Sequence, residues 1–371
     1  MRSFSLLLLC CLAPVACSDS SSTRVVVKVD NSIDDSDDDP NLVIGVLVRD
    51  DDDEVPVPAP AAARLQGAVR SDAVADVRED GLAYLALSDD GSPRGVISES
   101  KQWIGSEAVG EPAELSWSFD GSTLFAAGGD QLRTVTASGV RSLIPLEGAS
   151  AVDGGPALEM GIGGEATVEV LAAIGRGPDG FEDVFAIYVD STGRALGLEN
   201  LTQTPEIREI DAAWLHDGAR LAVLERSDRD AISVRNVVFS QGRELPAHAE
   251  LQPERSPIWE ADAGTLRDVS AARTRDLLAI SAWTGRDWDV LCVDARGNSV
   301  NLGTRGRDEI APSWSRDDRL LAVEQPCSDA GCGPLPIALW ELGHAIGSTR
   351  CPVVSNAKAL AGAGALPAWQ P

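Results

Sequence analysis

From residue 77 onward, short apolar runs alternate with tight polar turns, and the alternation has two registers. In the first, a Trp or small apolar residue is followed three positions later by Asp-Gly or Asp-Asp, then by another apolar run. It reads Trp117-Ser118-Phe119-Asp120-Gly121 before Leu124-Phe125-Ala126, and Trp214-Leu215-His216-Asp217-Gly218 before Leu221-Ala222-Val223. A third copy is Trp314-Ser315-Arg316-Asp317-Asp318 before Leu321-Ala322-Val323. Weaker copies start at Val77 (Asp80-Gly81), Met160 (Gly163-Gly164) and Ala271 (Thr274-Arg275), and the chain ends in Leu366-Pro367-Ala368-Trp369. Asp-Gly supplies the positive φ of a tight hairpin, and the flanking apolar residues are its strands.

The second register is a strand-like run closed by a glycine turn, at Gly91, Gly139, Gly193, Gly242, Gly297 and Gly343. Each falls between two members of the first series, so the chain divides into six units of two hairpins, with starts 40 to 57 residues apart. Four short strands in that length is the size of a propeller blade. Helical periodicity is not found, and a β-sandwich would space its strands evenly. The predicted fold is all-β: a six-bladed β-propeller of four-stranded antiparallel blades, its ring closed by the C-terminal strand.

The motifs Trp117-Ser118-Phe119-Asp120-Gly121, Pro312-Ser313-Trp314-Ser315-Arg316-Asp317 and Pro367-Ala368-Trp369 resemble the Pro-x-Trp-Ser-Pro-Asp-Gly repeat of TolB-type, WD40-like propellers. The resemblance spans about residues 65 to 371 and implies that the terminal Trp strand completes the first blade. This chain departs from the pattern in replacing the second Pro by Phe119, His216 or Arg316, and it has no room for TolB's separate N-terminal domain. The partners of TolB are therefore not carried over.

The N-terminus is of another kind. Arg2, the apolar run Leu6 to Leu12 and Pro14-Val15-Ala16-Cys17 read as an export signal (1–16), too short to remain as a membrane span. Val15-Ala16-Cys17 resembles the lipobox of bacterial lipoproteins, which implies lipidation of Cys17 and anchoring in the cell envelope, with Ser18 pointing to the outer membrane. The other reading is an ordinary secretory peptide cut near Ala16. Residues 17–60 form an acidic, Pro-rich tether before a propeller at 61–371. Eleven acids against Arg49 alone between Asp30 and Glu54 favour a solvated spacer. A loose calcium site is the sharper reading there, but the EF-hand pattern fails at Pro40 and Val46. Arg24 to Val29 and Leu42 to Val48 are strand-like and could pair as a hairpin across the acidic loop.

Export places the remaining cysteines in an oxidising compartment. Cys327, Cys332, Cys292 and Cys351 permit three pairings; the short segment between Cys327 and Cys332 favours that bridge, leaving Cys292 with Cys351. The net charge of -27 argues against nucleic acid and against electrostatic docking on anionic lipid, so membrane association is by the anchor alone. His216, His248 and His344 sit apart in different units, and no nucleophile elbow, phosphate loop or dinucleotide fingerprint occurs. No catalytic, metal or cofactor site is assigned.

Strand alternation puts both series of tight turns on one face and all the long connections on the other, where binding usually lives. The candidates on that face are Trp283, Arg286 and Trp288, with Glu206, Arg208, Glu209, Arg307 and Glu309; the bland alternative is a solvated rim of ion pairs. The sequence thus points to a non-enzymatic scaffold docking a protein or peptide. Its rivals are an envelope glycan lyase or hydrolase using channel-mouth carboxylates, and a structural surface lipoprotein.

Overall fold

The computed structural model describes residues 25–29, 44–50 and 53–57. From 82 to 369 it omits 88–92, 99–100, 106–111, 119–120, 137, 161–165, 205, 242–246, 254–255, 305, 327–334, 344–350 and 361–363. The signal, Cys17, Cys327 and Cys332 lie outside these residues. The chain forms two units, Met1–Arg78 and Glu79–Pro371.

In the first unit, β1 (Val25–Val29) and β2 (Ile44–Asp50) pair antiparallel with Val25 opposite Val48, the hairpin the sequence suggested. A third strand, β3 (Asp53–Val57), adds to β2. It takes in Val55-Pro56-Val57, which reads as polyproline-like. As an edge strand it tolerates Pro56, whose missing N–H costs no ladder bond when it faces away from the sheet.

The second unit is the propeller. Its first blade contains β4 (Leu82–Leu87), β5 (Pro93–Ser98) and β6 (Lys101–Gly105). The second is β7 (Glu114–Trp117), β8 (Leu124–Gly128), β9 (Gln131–Thr136) and β10 (Gly139–Pro145). The third comprises β11 (Ala151–Asp153), β12 (Ala157–Met160), β13 (Ala166–Arg176), β14 (Glu182–Asp190) and β15 (Ala195–Asn200). The fourth has β16 (Arg208–Trp214), β17 (Arg220–Arg226), β18 (Arg229–Gln241), β19 (Ala247–Leu251) and β20 (Trp259–Asp262). The fifth holds β21 (Leu266–Ala271), β22 (Leu277–Trp283), β23 (Trp288–Asp294) and β24 (Ser299–Asn301). The sixth is β25 (Ile310–Trp314), β26 (Leu320–Glu324), β27 (Ala338–Leu342) and β28 (Val354–Ala359).

The last strand, β29 (Gly364–Trp369), does not extend the sixth blade. It pairs with β4, Trp369 opposite Leu82, giving the order β29-β4-β5-β6. The ring is therefore closed by joining the two ends of the propeller chain in one sheet. The copy of the repeat at Val77 lies outside the described residues, and β29 takes the place of its first strand. The first strands β29, β7, β11, β16, β21 and β25 contact one another in turn around the ring, which makes them the inner wall.

Each Trp at the end of an inner strand is a wedge between blades. Trp117 packs with Ala83, Leu85 and Ala368 of the first blade and donates its indole N–H to Ala368 O. Trp314 packs with Cys292, Leu277 and Val290 of the fifth and donates to Ser270 O. Burying so large a side chain contributes about 3 kcal/mol or more, and the N–H bond fixes its orientation.

Two inner or outer strands are split. In the third blade, Gly154-Gly155-Pro156 interrupts the inner strand, so β11 and β12 both pair with β13. A Cβ on Gly154 would lie 1.9 Å from Trp117 O, and one on Gly155 2.0 Å from Val170 O and 2.3 Å from Trp214 Nε1. The glycines are there because both neighbouring Trp wedges reach this strand. In the fourth blade β18 is long enough to pair with β19 at its end and β20 at its start.

The Asp-Gly turn has one instructive variant. Asp318 stands where glycine is usual, with φ 55°. Its carboxylate leaves the turn and accepts Arg273 N (2.6 Å), Thr274 N (2.9 Å) and the Thr274 hydroxyl of the preceding blade. The strain of a left-handed Asp, about 1 kcal/mol, is offset by these bonds to charge. Behind this seam, Cys292 of β23 and Cys351 are joined, both fully buried, tying the fifth blade to the sixth.

Candidate functional site

Each inner strand runs from the long-connection face to the tight-turn face, and carboxylates cluster toward its start. Glu114, Asp211 and Asp268 each stand three residues before the wedge position (Trp117, Trp214 and Ala271). In the fourth and fifth blades a β-bulge falls at this point, between Glu209 and Asp211 and between Leu266 and Asp268. A bulge re-aims one side chain, here into the channel. Asp153 of β11 and Glu324 at the end of β26 complete the group.

These acids also clasp the ring. Glu114 accepts Val152 N (2.8 Å), Asp153 accepts Trp214 N (2.8 Å), and Asp211 accepts Val269 N (2.7 Å). Asp268 accepts Ala311 N (3.1 Å) and Glu324 accepts Leu366 N (2.9 Å). Every acceptor thus takes an N–H from the inner strand of the next blade. Ala311 and Leu366 pay for it with left-handed backbone, φ 47° and 51°.

Confinement sets their protonation. Burial, with the Asp211 charge adding to it, pushes Glu114 well above the usual carboxylate range. Burial raises Asp211 too, with Asp268 and Asp153 adding to it. Burial raises Asp153 and Glu324, with Arg273 holding the first down and Arg267 the second. The cavity that Glu114, Asp153, Arg273 and the Trp117 and Trp369 wedges line is only about 40 Å³. That is room for a few waters, against the several hundred Å³ of an ordinary ligand pocket. Among the described residues no group of three His, Cys, Asp or Glu side chains is arranged to hold a metal ion.

On the long-connection face, the hairpin between β22 and β23 carries the aromatic pair expected there. Trp283 is 40% exposed, and its ring meets Trp288 edge-on at 6.0 Å between centroids. Arg267 covers the Trp288 ring at 5.9 Å, beside Asp268 at 3.3 Å. Arg286 at the hairpin tip is exposed. The Trp288 backbone is fixed on both sides, donating to Asp308 Oδ1 (2.9 Å) and accepting Glu309 N (2.7 Å). The pair thus leaves Trp283 exposed and Trp288 half-buried over an anchored backbone.

The other face candidates separate into two groups. Glu206 and Arg307 are exposed, and Arg208 is exposed but held in a bidentate pair with Glu182 at 2.7 and 2.9 Å. Glu209 and Glu309, by contrast, are fully buried in the seams between blades. The turns that precede them fold back over their carboxyl groups, so these two do not present charge to the surface. The channel acids Glu114, Asp153, Asp211, Asp268 and Glu324 were not singled out from the sequence. The spacing of three before the wedge position was the available signal for three of them.

No protein-family model matches the sequence, and no curated protein matches it. Among solved structures the chain is similar to a putative TolB from Agrobacterium tumefaciens, at 11% identity over 77% of this chain and 90% of that one, TM-score 0.45. It is similar to TolB from Acinetobacter baumannii at 13% identity, over 94% of this chain and 82% of that one, TM-score 0.48. It is also similar to a periplasmic gluconolactonase of Pseudomonas aeruginosa at 13% identity, over 76% and 83%, TM-score 0.45. Such likenesses concern fold alone. The described residues of the second unit form an all-β, six-bladed propeller, its ring closed by its last strand.

Proposed function

We propose that this protein is a non-enzymatic scaffold of the bacterial envelope, held by lipid on Cys17, that docks a protein or peptide on the long-connection face of its propeller. The observation that carries the reading is the Trp283–Trp288 pair, with Trp283 exposed, Trp288 half-buried and Arg267 over its ring. The net charge of -27 favours a partner segment that carries Lys or Arg side chains. The narrowness of the channel favours surface docking over turnover of an enclosed substrate.

A second reading, a glycan lyase or hydrolase, has one observation in its favour: Glu114 and Asp211 hold protons more tightly than ordinary carboxyls, as a general acid must. A panel of glycan substrates separates the two. The scaffold reading expects no turnover; turnover lost on Glu114→Gln would replace it with the enzyme. For docking, a partner retained from envelope extract should be lost on Trp283→Ala/Trp288→Ala and kept on Leu196→Ala, an exposed apolar residue of the outer strand β15. Equal retention by both variants would sink it.

A further inference from the structure

Three blades carry an Asp at the second position of their third strand: Asp183 of β14, Asp230 of β18 and Asp289 of β23. All three are buried. Their surroundings differ in one respect. Asp230 is gripped by the Arg226 guanidinium at 2.7 and 3.1 Å and accepts Leu266 N at 2.8 Å. Here the residue five before the wedge position is the apolar Leu266. At the other two seams that position is Glu209 and Glu309, and a second acid replaces the cation.

The connections leading to these two glutamates share a pattern. Asn200-Leu201-Thr202-Gln203-Thr204 precedes Glu209, and Asn301-Leu302-Gly303-Thr304 precedes Glu309. The Asn amide donates to the Asp in both (Asn200 to Asp183, 2.5 Å; Asn301 to Asp289, 2.7 Å). The Thr five residues before the Glu donates its hydroxyl to it in both (Thr204 to Glu209, 2.6 Å; Thr304 to Glu309). Glu209 Oε2 and Asp289 Oδ1 are buried with no hydrogen-bond partner among the described residues. Asp289 Oδ1 and Glu309 Oε2 each lie 2.6 Å from the point a Cβ on Gly303 would occupy, so the two oxygens converge on one space. Two buried carboxylates facing each other without a cation cannot both stay ionised, because desolvation and repulsion add.

We propose that Glu209 and Glu309 are the protonated members of two buried carboxyl–carboxylate pairs, with Asp183 and Asp289, and that these pairs make the two seams a pH-sensitive device. Held together, the pair shares a proton; when that proton leaves for solvent the two anions repel and the seam loosens. The raised affinity of both glutamates, up to about 7, agrees with this. Burial is its main cause, against the Thr204 or Thr304 bond and reinforced by Asp183 and Glu225 or by Asp289. Asp230, where Arg226 and backbone N–H groups outweigh burial, is shifted the other way.

The other charged groups near each pair have partners of their own: Asp179, beside Asp183 at Gly177, accepts Phe181 N (3.1 Å). Near Glu209, Glu225 of β17 is neutralised by Arg235 of β18, and Arg208 and Glu182 pair with each other. Near Glu309, Asp287 accepts Gly306 N, Asp308 accepts Trp288 N, and neutral Gln325 takes the place of Glu225. Because Glu309 N bonds Trp288 O, ionisation acts beside the aromatic hairpin. Any effect on docking rests on the reading above; the seam itself does not.

The test is an NMR titration of the full chain from pH 5 to 8, following Glu side-chain carboxyl carbons and the indole N–H of Trp288. Two carboxyl signals should titrate near 7; Glu209→Gln should remove one and Glu309→Gln the other. The Trp288 signal should titrate with them in wild type and in Glu209→Gln, and stay flat in Glu309→Gln. If a variant does not fold, the wild-type carboxyl spectrum still decides. Glutamate signals confined to the ordinary carboxylate range would overturn the proposal. So would a Trp288 titration that persists in Glu309→Gln. Millimolar CaCl2 abolishing the titrations would assign the space to a cation instead of a proton.

Discussion

Breaking the Cys292–Cys351 bond tests how the fifth and sixth blades are held together. The bond closes a loop of 59 residues, and restoring that loop's freedom to the unfolded chain removes about 4 kcal/mol by the chain-entropy relation. Both sulfurs are fully buried among Trp314, Trp340 and Ala272, so Cys292→Ala/Cys351→Ala also leaves a small cavity, of roughly 1 kcal/mol. The measurement is urea unfolding of the oxidised protein against the double Ala variant. At a slope of about 3 kcal/mol per molar urea, the midpoint should fall by roughly 1.5 M. Reduction of the wild type by a phosphine under the same conditions should reproduce most of that shift, since it opens the loop without the cavity. A change below about 1 kcal/mol in both would show that the outer strands of the two blades need no staple.

Other consequences are as definite. Gly155→Ala should destabilise the propeller by several kcal/mol, read as a drop in Tm, because its Cβ would collide with Val170 O and the Trp214 indole. Asp318→Gly relieves the left-handed backbone yet strips the caps from Arg273 N and Thr274 N; a net loss of about 1–3 kcal/mol by urea unfolding is expected, and a gain would mean strain outweighs capping. The pH dependence has a fixed sign. Glu209 and Glu309 bind protons more tightly folded (about 7) than unfolded (4.5), so stability is greatest below the unfolded value. It should fall as pH rises through about 7, by at most about 3 kcal/mol for each group. Unfolding midpoints at pH 5 and 8 check this, and Glu209→Gln/Glu309→Gln should shrink the difference.

What the sequence made legible was local chemistry. A hairpin needs positive φ at its turn, so Asp217-Gly218 and Gly139 announce themselves, and an indole at a fixed offset from the turn marks the inner strand. Ring closure was legible because Leu366-Pro367-Ala368-Trp369 has the form of an inner strand with no blade left to enter. Asp211 and Asp268 were hidden because their orientation depends on bulges, which shift register by one residue and leave no compositional trace. Glu209 and Glu309 looked like surface charges in loops. Their burial follows from Asn200 and Asn301 folding the connection back onto Asp183 and Asp289, a long-range contact no local pattern reports. In the first unit, Pro56 suggested an extended spacer because proline seldom enters a sheet, and only its edge position admits it.

The docking face is tested most directly by replacing Trp283, and in a second protein Leu196, with a photo-crosslinking amino acid in the full-length protein and irradiating envelope preparations. The account predicts a discrete adduct from position 283, lost when Lys- and Arg-rich peptide is added in excess, and none from position 196. An adduct of the same partner from 196, or none from 283, would contradict it.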